Sequence, residues 1–295
     1  MTAMVKPLIS VFAYIFLAPF AGAILAGIDR KISARMQGRQ GPPIMQPLYD
    51  VGKLLKKETR ITNSVQVVYL VTFLIFIIIT GAMFFAGMDL LMVFFILTTA
   101  NLFLVVAAYA SGSPYATMGA NRELMQMMAY EPMVLIFSVG LYVITGTFRV
   151  DEIVSSYHLP AIVYLPGIFI GFVFILTIKL RKHPFDLSTS HHAHQEMVKG
   201  ITTEFNGTMF AIVEISHWYE NIFLLGVLAL FFLNGYTWSI ILAIAAIIIC
   251  YFVEILVDNT NARVKWQIMF KNSWIITAVL GAINLVIIEV IKEVK

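Results

Sequence analysis

Long apolar runs separated by short polar stretches dominate the chain. Eight of them, at about 7–28, 65–86, 90–110, 132–148, 160–179, 208–233, 238–257 and 274–291, approach the roughly 20 residues that a helix needs to cross a bilayer. Nothing alternates with the period of a strand, and an open strand would leave its backbone unsatisfied in lipid. The pattern predicts an all-α polytopic membrane protein, one integral membrane domain over 1–295 with about eight transmembrane helices. The fourth run is short and the sixth long, so tilt or partial exposure is expected there. Between the first two runs, Gln46–Glu58 sets Leu48, Val51, Leu54 and Leu55 at helical spacing among Asp50, Lys53, Lys56 and Lys57. This is an amphipathic helix at the membrane surface, which either grips anionic lipid or walls a cavity or docking site. Pro114–Pro132 reads as a second, Met-rich helix after a Ser-Gly-Ser-Pro turn. Methionine suits contact with another subunit as well as lipid or core packing.

Composition agrees. Hydrophobic residues make up 60% of the chain and charged ones 13%, with a mean hydropathy of +0.86, too apolar for a soluble domain of 295 residues. The single cysteine, Cys250, excludes a disulfide framework and a four-cysteine metal or cluster site within the chain. The first apolar run lacks a basic leader and a cleavage site, so it reads as a retained span. Of the 20 Lys and Arg, 16 fall in the segments 29–64, 111–131, 179–207 and 258–273, which eight spans place on one side. That side is expected to be cytoplasmic, with both termini outside.

Ionisable residues inside apolar runs carry a functional hypothesis by default. Glu131 begins the fourth run and Glu204 precedes the sixth. Glu214, His217 and Glu220 recur every three residues within the sixth, on one side of the helix. Burial favours their uncharged forms, the condition for proton hopping; pairing with basic residues elsewhere is the other reading. Glu254 and Asp258 end the seventh run one turn apart, and Glu289 lies in the last turn of the eighth. No P-loop, dinucleotide-binding glycine motif, zinc-protease motif or nucleophile elbow is present. Internal duplication of the transporter kind is also missing, which weakens a stand-alone ion or solute carrier.

The stretch His183–Phe205, HPFDLSTSHHAHQEMVKGITTEF, holds His191, His192 and His194 within four residues. His191 and His194 would share a helix face while His192 points away, and no cysteine is near, so a closed metal site is disfavoured. A plain surface loop and a pH-responsive, proton-conducting loop remain.

Two stretches resemble a known family. Asp29–Glu58 is similar to the first cytoplasmic loop of the complex I subunit that forms the membrane heel of respiratory NADH dehydrogenase. It carries Asp29 and Arg30, then Arg35, Gln37, Arg39, Gly41 and Pro42, then Gln46, Pro47, Asp50, Lys53, Leu54, Lys57 and Glu58. Pro184–Gly207 resembles the same family's Pro-Phe-Asp-Leu loop, and Met127–Pro132 its Ser-Tyr-Glu step, with Glu131 as the family's acid. The departures resemble one branch. An acidic stretch is replaced by STSHHAHQE, and a carboxylate deep in the sixth helix by His217, flanked by Glu214 and Glu220. Both look like energy-converting, membrane-bound nickel–iron hydrogenases of the Ech type and their formate hydrogenlyase and CO-oxidising relatives.

The resemblance implies a non-catalytic membrane subunit of a bacterial or archaeal cell-membrane complex. Such a subunit anchors a peripheral arm and couples ferredoxin-dependent hydrogen evolution to H+ or Na+ translocation. Cofactors are expected on partners rather than on this chain: the nickel–iron centre and iron–sulfur clusters on hydrogenase large and small subunits and an iron–sulfur protein. An antiporter-like membrane subunit completes the set. On this reading Arg35, Gln37, Arg39, Asp50, Asp186, His191, His194 and Glu196 line the interface with the redox arm. Glu131, Glu204, Glu214, His217 and Glu220 carry protons or electrostatic signals sideways. A quinone-chamber subunit of respiratory complex I is the rival within the family.

Overall fold

The computed structural model describes residues 2–59, 63–156, 159–189 and 197–294. The described residues form helices joined by turns, with an isolated bridge between Asp89 and Arg149. In chain order they are α1 Thr2–Met36, α2 Gln46–Lys56, α3 Ser64–Phe85, α4 Leu90–Tyr109, α5 Pro114–Thr145 and α6 Val150–Ser155. Then follow α7 Ala161–Tyr164, α8 Pro166–Lys179, α9 Gly207–Ala229, α10 Trp238–Thr260, α11 Trp266–Ile276 and α12 Ile283–Val294. A π-helical segment, Thr277–Ala282, fuses the last two into one rod.

Six of these helices are long and apolar enough to cross a membrane: Pro7–Met36, Ser64–Phe85, Leu90–Tyr109, Pro114–Thr145, Trp238–Thr260 and Trp266–Lys292. The apolar α8 has only 14 residues. The 23-residue α9 carries Glu214, His217 and Glu220, which lower its apolar character. Length and composition alone therefore stop at six, short of the expected eight.

Two expected boundaries differ. The Met-rich helix and the fourth run form one helix, α5, of 32 residues. At 1.5 Å per residue it is about 48 Å long, so its first turns stand clear of the hydrocarbon. Pro132 lies inside it, and buried Met127, Ala129, Tyr130 and Met133 pack on both sides of the proline. That packing outweighs the one backbone hydrogen bond a proline removes. The run 160–179 is instead interrupted at Leu165, leaving α7 as a single turn before α8. Asn284 of α12 bridges the break: its side chain accepts from the Ile168 N–H at 3.2 Å and donates to the Tyr164 carbonyl at 3.2 Å. A helix start amid apolar neighbours needs such a partner for its free N–H groups.

The core is aromatic. Phe94, Phe137, Phe172, Phe223 and Phe231 pack at the centre, with Phe137 and Phe231 stacked at 4.6 Å. Helix starts are fixed by side chains that satisfy otherwise unpaired amides. Asn63 accepts from Val65 at the head of α3, and Asp89 from both Leu91 and Met92 at the head of α4.

The four Lys/Arg-rich segments gather at one end of the bundle. Asn63 binds the Ala110 carbonyl, Tyr115 binds Val198, Thr59 binds Thr208, Gln37 binds Asn259, and Arg263 binds His183. The opposite turns meet at the other end, where the Leu90 amide donates to Phe148 and the Ile162 amide to Phe231.

Candidate functional site

At the Lys/Arg-rich end lies a cavity of about 790 Å³. The amphipathic α2 is one wall. Its Leu48, Val51 and Leu54 pack against Ala23 of α1 and Ala211 and Trp218 of α9, while Asp50, Lys53 and Lys57 face the space. Asp50 is held by Arg30 at 2.9 Å and by Gln46 at 2.8 Å, which ties α2 to α1. α2 thus walls a cavity, the sharper of its two sequence readings. α1 can approach the loop ahead of α2 because position 27 is glycine; a Cβ there would strike the Ile44 carbonyl.

The opposite wall is the end of α8 and the turn after it, Lys179-Leu180-Arg181-Lys182-His183. Each cation of this run pairs with an acid from a different helix. Lys179 Nζ lies 2.8 Å from Glu220 of α9, both nearly dry at 5% and 4% side-chain exposure. Arg181 lies 3.0 Å from Glu123 of α5, and Lys182 lies 2.8 Å from Asp29 of α1. The His183 N–H donates to Asp258 of α10 at 2.8 Å. One short segment therefore fastens four helices. Burying this many charges is tolerable only because each has a counter-ion and hydrogen bonds.

His217 joins the hub. Arg181 Nη1 lies 2.9 Å from its Nε2, and Glu220 Oε2 lies 3.6 Å from its Nδ1. A guanidinium can only donate, so Nε2 accepts and the ring proton sits on Nδ1, toward Glu220. Ser188 donates to the other Glu123 oxygen, and Gln126 of α5 donates to the Phe185 carbonyl at 2.6 Å.

From this hub a polar thread runs sideways. Lys179 Nζ lies 4.3 Å from the centre of the Tyr130 ring, and Asn101 of α4 donates to the Tyr130 hydroxyl at 3.3 Å. A polar void of about 10 Å³, at the lower limit for one water, lies among Glu123, Gln126, Tyr130, Lys179, Arg181 and Glu220. Beyond it Glu131 opens on a largely apolar pocket of about 70 Å³ between α4, α5 and α8. Lys179 and Tyr130 line both spaces.

Sequence and fold both have counterparts among known proteins. Residues 9–289 match the family described as NADH dehydrogenase. The chain belongs to the NADH dehydrogenase family. Among its relatives, formate hydrogenlyase subunit 4 of Escherichia coli K12 is 26% identical over 91% of this chain and 93% of its own length. Hydrogenase-4 component C of the same organism is 26% identical over 85% and 87%. An NADH-quinone oxidoreductase subunit of Rickettsia peacockii is 30% identical over 72% and 69%. A chain of the membrane-bound sulfane sulfur reductase, an archaeal respiratory membrane complex, superposes with a TM-score of 0.79 at 25% identity, covering 98% of this chain and 100% of that one.

Within this NADH dehydrogenase-family chain the expected site residues separate into groups. His217 and Glu220 sit in the hub, Glu214 lines the cavity, and Glu131 lies at the far end of the thread. Glu204 follows the short 3-10 turn Gly200–Thr202 and, among the described residues, makes no ion pair or hydrogen bond. Glu220 carries a full ionic partner, so the pairing alternative describes it better than neutrality does. Asp50 and Asp186 face the cavity, Asp186 beside His183 at 3.2 Å and Arg263 at 3.9 Å. Arg35, Gln37 and Arg39 are exposed at the end of α1, where Gln37 donates to Asn259. His191, His194 and Glu196 lie outside the described residues. Glu123, Lys179, Arg181, Lys182, Asp29, Asp258 and Arg263 were not expected in the site. For Lys179, Arg181 and Lys182 the signal was the cationic run closing an apolar segment, which also reads as a plain topology signal. Among the described residues no group of three His, Cys, Asp or Glu converges to hold a metal.

Proposed function

We propose that this chain is the membrane subunit of an energy-converting nickel–iron hydrogenase complex, anchoring its redox arm and coupling hydrogen evolution to ion translocation. The carrying observation is the ionic chain from the cavity through Arg181, His217, Glu220 and Lys179, with Lys179 lining the pocket on which Glu131 opens. Near end-to-end similarity to formate hydrogenlyase subunit 4 supports the hydrogenase branch. On this reading the nickel–iron centre, the iron–sulfur clusters and the ferredoxin contact belong to partner subunits, as does the antiporter-like channel. The chain crosses the membrane eight times, α8 and α9 included, with the cavity end cytoplasmic.

The geometry suggests how the thread works. His217 accepts from Arg181, so a proton arriving at Nε2 expels the guanidinium, which keeps its bond to Glu123. The charged imidazole then competes with Lys179 for Glu220. Lys179, released, has the Tyr130 face and Glu131 as its next partners. A charge change at the cavity is passed sideways by cations changing acids, with few protons moving far.

The test is to tag the C-terminus, extract native membranes in mild detergent and assay hydrogen evolution from reduced ferredoxin. Co-purification of nickel and iron with that activity supports the proposal. An intact nickel-free assembly that reduces a quinone or sulfane sulfur overturns it. Ion transport by the chain alone in liposomes would make it a carrier. His217→Ala complexes are expected to keep hydrogen evolution and lose ion pumping; if they stay fully coupled, the relay is wrong.

A further inference from the structure

The hub leaves one buried acid unused. Glu254 of α10 is 1% exposed, and neither of its carboxyl oxygens has a hydrogen-bond partner among the described residues. It does not line the cavity; it sits behind Asp29, Lys182 and Asp258, which do. The groups that face it can be named. Cys250 and Asp258 stand a turn to either side on α10, with Tyr251 between, and Lys182 reaches toward it from the end of α8. Thr177 of α8 lies beside it but donates to the Val173 carbonyl. Tyr251 donates to the Leu25 carbonyl at 3.3 Å, and Asp258 receives the His183 N–H. Lys182 is engaged by Asp29, whose second oxygen is itself buried without a partner. Lys182 thus serves two acids and is bound to one.

A buried carboxyl with no cation in contact and only the Thr177 hydroxyl beside it calls for a proton or a counter-ion. Among the described residues the Lys182 ammonium hydrogen-bonds only Asp29, so no counter-ion reaches Glu254 while that pair is closed. We propose that Glu254 is a proton-binding site that exchanges with the cavity through Lys182 and Asp29, a branch separate from the Glu220 thread. When Lys182 swings from Asp29 to Glu254, the Glu254 carboxyl gives up its proton and the Asp29 carboxylate takes one up. The net charge of the trio is unchanged; one proton has moved to the cavity wall.

The site itself stands apart from the hydrogenase reading; only its use in coupling rests on it. The test uses the intact complex purified through this chain and records infrared absorbance spectra in the protonated-carboxyl region across a pH series. A band that disappears in Glu254→Gln and persists at every pH in Lys182→Met is expected. Spectra that do not distinguish wild type from Glu254→Gln overturn the site. In the redox assay that the complex supports, Glu254→Gln is expected to keep turnover and lose most of its ion translocation. A Glu254→Gln complex that translocates as well as wild type overturns the exchange. A complex with a different redox substrate would change the assay and leave the infrared band in place, so the two ideas fail separately.

Discussion

At the scale of single residues, the hub is a set of charges that tolerate no single loss. Removing one partner of a buried pair strands the other, which costs about 3–5 kcal/mol, whereas replacing both with apolar groups is often neutral. Lys179→Met is therefore expected to destabilise the complex strongly, because Glu220 stays behind at 4% side-chain exposure. The Lys179→Met, Glu220→Met double variant is expected to regain most of that stability, seen as thermal unfolding of the complex in detergent. A double variant as unstable as the sum of the singles would mean the two side chains act independently. On the proposed function the double variant is also expected to be fully uncoupled, since the thread is cut while the fold survives. Part of this was legible in the sequence. Three ionisable residues at three-residue spacing on α9 mark a polar stripe that packing does not explain. Their partners were not legible, because Lys179, Arg181 and Lys182 read equally well as a cationic stop at the end of a span. Only the fold shows that they turn inward, each to an acid more than 35 residues away in the chain.

At the scale of elements, helix positions were legible and their continuity was not. Hydrophobic length locates spans, but Pro132 looks like a boundary, and nothing local shows that packing on both sides carries α5 through it. That continuity has a consequence. α5 joins the membrane core to the loop that follows α8, because Gly119 lets the Gly200–Thr202 turn seat directly on the helix. A Cβ at position 119 would strike the Ile201 amide nitrogen and the Gly200 carbonyl carbon. Overpacking of this kind typically costs about 1–3 kcal/mol, and here the backbone of the loop must move. Gly119→Ala is expected to unseat the loop, break the contacts between Tyr115 and Val198, and raise protease cleavage between residues 187 and 206 while the helices stay intact. A variant cleaved no faster than wild type would show that the loop is held elsewhere. α2 carries the same lesson. Its amphipathic pattern was plain, but whether its apolar side met lipid or protein depended on Trp218, more than 160 residues further along the chain.

At the scale of the whole molecule, the topology rests on which loops share a face. The segments that carry 16 of the 20 Lys and Arg are joined by side-chain hydrogen bonds at one end of the bundle. Each pair of successive basic segments is therefore separated by an even number of crossings, α3 and α4, α5 and α8, then α9 and α10. This is why α8, at 14 residues, has to count as a crossing in the proposed layout even though its length alone falls short. The chain offers a clean way to check it. Its one cysteine, Cys250, is 8% exposed and faces the core. A Cys250→Ser background labels with nothing, and single cysteines can then be introduced at exposed positions on either end. Thr203→Cys, on the basic end, is expected to react with a membrane-impermeant maleimide only after the membrane is opened. Glu152→Cys, on the other end, is expected to react in intact cells. Reversed labelling would invert the proposed orientation and put the cavity on the wrong side for a cytoplasmic redox arm. Labelling of both from one side would mean that the short, broken α8, the one proposed crossing between these two positions, does not cross.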